Sequence, residues 1–329
     1  MNREELARQG IRFREFRFED IRTLVDIRNR VYPDTPTTVE TEEHFEAVYP
    51  KDNPRKRIAV ESRDGQLIGF GDCMNPFWMK APGVYTIWAI VDPDWRRRGI
   101  AQALFAELEP LGRGQGATRL WADCREDFDF AIRFLERAGF HNFGLRFESK
   151  LDLTTFDEAR FPGAIERASR AGFQITTLAA ERTATAEADR LLYDLSLTVM
   201  RDVPLPGGAI FEQTFEDFRN FFLKTPDADP AGAFIAKHGD RYAGLTVLFL
   251  PKHGPAYTAL TGTQREYRGQ GLALALKLLS IRLLKERGYG EARTNNDTAN
   301  PSILHLNEKL GYQKLPGWLQ WEKPLTQVR

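Results

Sequence analysis

The chain has 329 residues, 42% hydrophobic and 28% charged, an ordinary globular composition with room for about two domains. Its 46 basic and 46 acidic residues cancel, so no global field draws it to nucleic acid or to an anionic membrane, and any anion site must be local. No stretch approaches the roughly 20 apolar residues that span a bilayer, Cys73 and Cys124 lack CxxC spacing, and His44, His141, His238, His253 and His305 are scattered, so neither a membrane segment nor a bound metal is expected.

The opening stretch, MNREELARQ, is charged where a signal peptide needs an apolar run, and a reducing, cytoplasmic setting is the expectation. Residues 11–16 alternate apolar and polar side chains, which predicts a strand, and Ile21, Leu24 and Ile27 place one apolar face on a helix over 20–30. Pro33 and Pro36 break that pattern. Strands at 57–61 and 66–70 flank Arg63-Asp64-Gly65, which reads as a hairpin turn. A further strand, 84–91, runs into a glycine-bearing loop, behind which Ile100, Leu104 and Leu108 recur at helical spacing. A strand at 118–122 and a helix at 130–138 follow, the helix stopped by Gly139, where a left-handed cap favours glycine.

After residues 154–172, which read as a short connector, the order recurs. A strand is predicted at 173–178, a helix at 189–200, and a break from Asp202 to the prolines Pro204 and Pro206. Strands at 234–237 and 242–249 flank His238-Gly239-Asp240, a second hairpin. The strand beginning at Ala256 enters a second glycine loop, and Leu272, Leu276, Leu279 and Leu283 form a helical stripe. A strand at 291–294 and a helix at 303–310, stopped by Gly311, complete the copy.

The sequence itself repeats with the pattern. Residues 96–101 read RRRGIA and residues 268–273 read RGQGLA, and Arg96 and Arg268 lie 172 positions apart. The same offset holds through Gly116 and Gly288 to Gly139-Phe140 and Gly311-Tyr312. One short glycine pattern is a weak signal, whereas two in identical register mean a duplicated unit. The division expected is a first domain over 1–153, the connector, and a second domain over 173–329. Such a chain is a monomer forming an internal pseudo-dimer, or a homodimer.

A strand that turns through a basic glycine loop into a helix exposes backbone N–H groups at the positive end of the helix dipole. Glycine admits a close ligand and arginine offers bidentate hydrogen bonds to phosphate, so each loop suits a diphosphate. A Walker loop is excluded, because neither copy has Gly-Lys followed by Ser or Thr. A dinucleotide fingerprint is excluded as well, since RGQGLA lacks the third glycine and the loop follows antiparallel-type strands.

The arrangement resembles the GNAT acetyltransferase superfamily, whose motif is Arg or Gln, two residues, Gly, one residue, Gly or Ala. The resemblance covers both halves, including residues 91–101 (VDPDWRRRGIA) and the closing segments 133–140 (RFLERAGF) and 306–312 (LNEKLGY). It implies an α/β (α+β) fold of two tandem GNAT-like domains, each a mixed, mostly antiparallel splayed sheet flanked by helices. It implies acetyl-CoA or another acyl-CoA as co-substrate, with the diphosphate on the N–H groups of Arg96, Arg97, Arg98, Gly99, Ile100 and Ala101, and of Arg268, Gly269, Gln270, Gly271, Leu272 and Ala273. The pantetheine arm is expected along Ala89, Ile90 and Val91, and along Leu260, Thr261 and Thr263, bonding as an added strand would.

Acyl transfer to an amine needs a neutral nucleophile, donors for the oxyanion and a proton for the departing thiolate. The family tyrosine that supplies that proton stands five residues before the final aromatic. Those positions here are Leu135 and Asn307. An asparagine seven residues earlier, which contacts pantetheine in the family, is matched by Phe128 and Asn300. Asn300 precedes Pro301, so it is equally a helix cap with proline at the first helical position. The family glutamate eleven residues before the motif arginine is matched by Tyr85 and Tyr257, and Tyr257 reads as a proton relay or as a strand aromatic. Asp202, at the break lining the acceptor side, is the carboxylate candidate for a base. With Asn307, Tyr257 and Asp202 as catalytic candidates and Asn300 on the cofactor, the second half is expected to acetylate a small-molecule or peptide amine without a covalent enzyme intermediate, the first being degenerate. The rival reading is an acyl-CoA-binding scaffold that performs no transfer.

Overall fold

The computed structural model describes residues 3–205, 207, 209–297 and 300–325. Pro206, the second proline of the expected break, lies outside the described residues. In chain order the strands that frame the two sites are β1 (Arg12–Glu15), β2 (Arg55–Glu61), β3 (Leu67–Met74), β4 (Val84–Val91), β5 (Arg119–Arg125), β6 (His141–Asp152), β7 (Phe173–Thr177), β8 (Ala228–His238), β9 (Arg241–Phe249), β10 (Ala256–Thr263), β11 (Glu291–Asp297) and β12 (Trp318–Pro324). The principal helices are α1 (Ile21–Val31), α2 (Ile100–Gly114), α3 (Asp129–Arg137), α4 (Ala188–Met200), α5 (Leu272–Glu286) and α6 (Pro301–Leu310). Both predicted hairpins form, turning on Gly65 at φ +79° and Gly239 at φ +60°. Gly139 and Gly311, at φ +85° and +97°, follow α3 and α6 in the left-handed conformation that only glycine adopts without strain.

The chain divides into two compact units, Met1–Gly144 with Trp318–Arg329, and Leu145–Gly317. In the first, the ladder runs β1-β2-β3-β4-β5-β12 and is antiparallel except for β4 beside β5. In the second it runs β7-β8-β9-β10-β11-β6, antiparallel except for β10 beside β11. Each unit is thus a mixed, mostly antiparallel sheet with helices packed on it, as the family resemblance implied.

The cut differs from the expected one at residues 153 and 173, because the last strand of each unit is read from the other repeat. Arg146–Asp152 pairs with β11 from Asp297 back to Glu291, and Trp318–Pro324 pairs with β5 from Arg125 back to Arg119. Every partner in one ladder stands 172 positions from its counterpart in the other, so the exchange keeps the same register twice. Burial follows the pairing: Leu151 lies in the core of the second unit and Trp321 in the core of the first. The first unit packs one sheet face on α2 and α3, through Leu104, Leu108 and Leu135, and the other on α1, through Leu24, Ile27 and Phe70. The second packs α5 and α6 on one face, through Leu276, Ile281 and Leu310, and α4 on the other, through Leu192, Leu195 and Val199.

Candidate active site

The parallel pair in each unit stays together for only three positions. In the first unit these are Val84, Tyr85 and Thr86 opposite Arg119, Leu120 and Trp121; in the second, Ala256, Tyr257 and Thr258 opposite Ala292, Arg293 and Thr294. Both β4 and β10 then continue for five residues without a partner on that side, which opens a fork. The Thr294 hydroxyl donates to the Thr258 carbonyl at 3.1 Å and pins the foot of the second fork.

The two forks differ in one backbone feature. β3 and β4 pair without interruption, from Gly69 opposite Val91 to Met74 opposite Thr86. Between β9 and β10 the register slips: Val247 faces Leu260 and Leu248 faces Thr258, which leaves Ala259 out of the ladder. Such a bulge frees backbone groups and re-aims the chain. Here it sits one residue beyond the last paired position of the fork.

Each fork leads up to its glycine loop. Gly99 (φ +80°) and Gly271 (φ +76°) cap α2 and α5 in the left-handed conformation, and neither helix has a side-chain cap on its first turn. The N–H groups there are therefore offered outward, where the helix dipole favours an anion. A second left-handed residue stands two positions earlier, Gly269 in one loop and Arg97 in the other at φ +62°. Space above the second loop is open, since a Cβ built on Gly269 or Gly271 meets no atom within 4 Å. Ile100 and Leu272 are buried, so only their backbones face the loop. Along the strands, Ile90 is buried, Thr261 Oγ1 bonds the Thr246 hydroxyl at 3.0 Å, and the Thr263 carbonyl accepts from Arg268 Nε at 3.3 Å. Gly262 carries the close approach of α4, where a Cβ would fall 2.1 Å from Val199 Cγ1.

Where α3 and α6 pack on their sheets the repeats have opposite chemistry. In the first unit Leu135, Cys124 and Trp321 share one apolar core. Their counterparts 172 positions away are Asn307, Asn296 and Ser149, and these form a hydrogen-bonded chain: Asn307 Nδ2 donates to Asn296 Oδ1 at 2.7 Å, and Asn296 Nδ2 to Ser149 Oγ at 2.8 Å. Asn307 is 2% exposed and its Oδ1 is left without a partner. A buried carboxamide oxygen of this kind is an acceptor waiting for a donor. Asn300 does not join it; its side chain accepts from the Ile303 N–H at 3.5 Å and serves as the cap of α6. In the first unit Phe128 stands at that cap instead, stacked on Tyr32 (5.6 Å, 10°) and on Phe130 (5.2 Å, 28°), with Trp318 5.2 Å from Tyr32. Phe128 also packs with Ile90 and the α1 core, so aromatic rings occupy the space beside the first fork.

The two other expected catalytic groups are placed plainly. Asp202 bonds Arg265 Nε at 2.9 and 3.0 Å and also Arg268 Nη2, and these guanidiniums, Arg265 first, hold its carboxyl down to about 2. So strong an acid is a poor acceptor of an ammonium proton. Burial, reinforced by the Glu148 carboxylate, pushes the Tyr257 phenol far above the usual tyrosine range. Sequence reasoning missed the partners of Asp202, which lie 63 and 66 positions on, and it missed the bulge at Ala259, for which the alternation of side chains gives no sign.

The acetyltransferase (GNAT) family model matches residues 21–140 and 199–312, more than half of the chain and once in each repeat. The chain belongs to the acetyltransferase (GNAT) family. Among solved structures it is similar over 96% of its length to 96% of a GCN5-related N-acetyltransferase from Sphaerobacter thermophilus (17% identity, TM-score 0.69). It is similar over 95% of its length to 98% of a tandem GNAT protein from the clavulanic acid biosynthesis pathway (19%, 0.71). A third likeness, to a possible acetyltransferase from Pyrococcus horikoshii, spans 98% of this chain and 92% of that one (14%, 0.58). At these identities the likenesses establish the fold, here the two-GNAT arrangement. A search of curated protein sequences returns no significant match. Among the described residues no helix is long and apolar enough to cross a membrane, and no group of three or more His, Cys, Asp or Glu is placed to hold a metal.

Proposed function

We propose that the second unit of this GNAT protein transfers an acetyl group from acetyl-CoA, or another acyl-CoA, to an amine of a small molecule or peptide, and that the first unit keeps an anion loop without a working fork. The observation that carries this reading is the bulge at Ala259, present just above the foot of the second fork and absent from the first. The chain's own groups fit an acyl-CoA there: an uncapped helix start and the open glycine loop for the diphosphate, the free edge of Ala259 to Thr263 for the amides of the arm, and the orphaned Asn307 Oδ1 as an acceptor. When bound, the co-substrate would supply an activated thioester: the neutral amine would add to its carbonyl, the C–S bond would break, and coenzyme A would leave as a thiolate protonated from solvent. Backbone N–H groups freed at the bulge are the donors for the developing oxyanion. Asn307, tied through its amide nitrogen to Asn296, orients rather than protonates.

With Asp202 committed to two arginines and Tyr257 held neutral, solvent is assigned the proton of the incoming amine. This favours a weakly basic acceptor. An α-amino group with pKa about 8 is roughly a tenth neutral at pH 7, whereas an alkyl amine with pKa about 10.4 is almost wholly protonated. Free-thiol release with a panel of α-amino and alkyl amines tests both statements: turnover is expected to favour the α-amino acceptors. Binding of acetyl-CoA with no thiol release from any acceptor would instead support the scaffold reading, which the commitment of Asp202 to two arginines favours.

A further inference from the structure

At both glycine loops the end of a helix meets the loop through ion pairs, and the charges are reversed between the repeats. In the second unit Asp202, two residues beyond α4, bonds Arg265 from both carboxylate oxygens and also takes Arg268, the motif arginine. The position 172 residues earlier is Arg30, near the end of α1, which reaches Asp92 at 2.5 Å and Asp94 at 2.8 Å. There the acids belong to the loop and the cation to the helix. With those acids held by Arg30, no ion pair joins Arg96, Arg97 or Arg98 to a carboxylate among the described residues, although the Asp92 charge still acts on Arg96. Arg96 lies over the Phe130 ring and donates from Nε to the Val91 carbonyl at 3.4 Å, and Arg98 lies over Trp95, each guanidinium 4.5 Å from the ring centroid; these contacts leave their terminal nitrogens for an anion.

Resting on the reading of the second unit as an acyl-CoA site, we propose that Asp202 is a built-in competitor for the diphosphate, occupying Arg265 and Arg268 so that a nucleotide diphosphate enters the second loop only by displacing a carboxylate, whereas the first loop offers its arginines directly. The arginines of the second loop lose one unit of net charge where the ligand's own negative charge must settle. Arg265 is 80% and Arg268 46% exposed, so the pull of Asp202 on them is that of a surface ion pair and weakens as salt rises. The two loops therefore differ in affinity for the same anion, and the second exchanges its ligand more readily, which suits a site that must release a product at every cycle.

The test reads binding, not turnover, on the full chain: calorimetric titration with coenzyme A in an Arg96→Ala/Arg98→Ala background, so that the second loop dominates the signal. Asp202→Asn is expected to tighten binding about tenfold at low ionic strength, an advantage that shrinks as salt rises, while Asp202→Glu stays near the parent. Asp202→Ser is expected to match Asp202→Asn, so the result does not hang on one variant folding. Unchanged or weaker binding in the folded neutral variants would overturn the proposal and make Asp202 an organiser of the two arginines. If the parent and the neutral variants alike show no coenzyme A binding, the acyl-CoA reading of the second unit fails with it, and that outcome is distinct because the latch can fail alone only where the parent still binds.

Discussion

Single residues carry the differences between the two copies. Lys277 on α5 is fully buried with no hydrogen-bond partner for Nζ, which lies 4.7 Å from the Tyr312 ring centroid. The counterparts in the first unit are Phe105 and Phe140, an edge-to-face pair at 5.9 Å. Burial pulls the Lys277 ammonium down to about 7 from 10.5. Because the folded state resists the proton that the unfolded chain accepts, stability is lost as pH falls from about 10.5 toward 7 and then levels. Lys277→Met is expected to be more stable than the parent at pH 7 by on the order of 3 kcal/mol in urea unfolding, the gap closing toward pH 10. A gap independent of pH would show that packing, not desolvation, separates the two. Arg97 offers a second case. It holds a left-handed backbone where the other loop has Gly269, a conformation that costs a non-glycine residue about 1 kcal/mol or more. Arg97→Gly is expected to leave thermal stability unchanged or slightly raised, whereas Gly271→Ala, at φ +76°, lowers it by about 1 kcal/mol. The chain of Ser149, Asn296 and Asn307 behaves as a unit: Asn307→Leu strands Asn296 and costs about 1–3 kcal/mol, and adding Asn296→Cys, which copies the first unit, recovers much of that loss.

Among the elements, the exchanged strands are the feature whose loss is most telling. Trp321 sits on β12 but is 4% exposed in the core of the first unit, so Trp321→Ala is expected to cost about 3–5 kcal/mol there. Two unfolding transitions are the readout, with the first unit moved and the second retained; equal loss in both would contradict the assignment of β12. The helices, hairpins and glycine loops were legible because their signals are local: leucine spacing over α5, Asp-Gly at the first turn, glycine after α3 and α6. The exchange was not, because β6 and β12 occupy equivalent places in the repeat and either ladder satisfies the same register. The bulge was hidden for a related reason, since a bulge belongs to a pair of strands and not to one sequence. Asp202 reads as a free loop carboxylate until folding brings Arg265 and Arg268 to it.

At the scale of the whole molecule, duplication preserved the glycine loop twice and let the clusters behind α3 and α6 diverge. One copy combines an unbroken β3–β4 register, an apolar trio and stacked aromatics; the other combines a bulge and a buried amide chain. The proposed division of labour, with transfer in the second unit, rests on those contrasts. The most direct measurement compares acetyl-CoA-dependent thiol release, with an accepted amine, between Arg268→Ala/Gly271→Glu and Arg96→Ala/Gly99→Glu, each checked for folding. Turnover is expected to vanish in the first variant and to persist in the second; loss in the second with retention in the first would place the chemistry in the N-terminal unit and contradict the account.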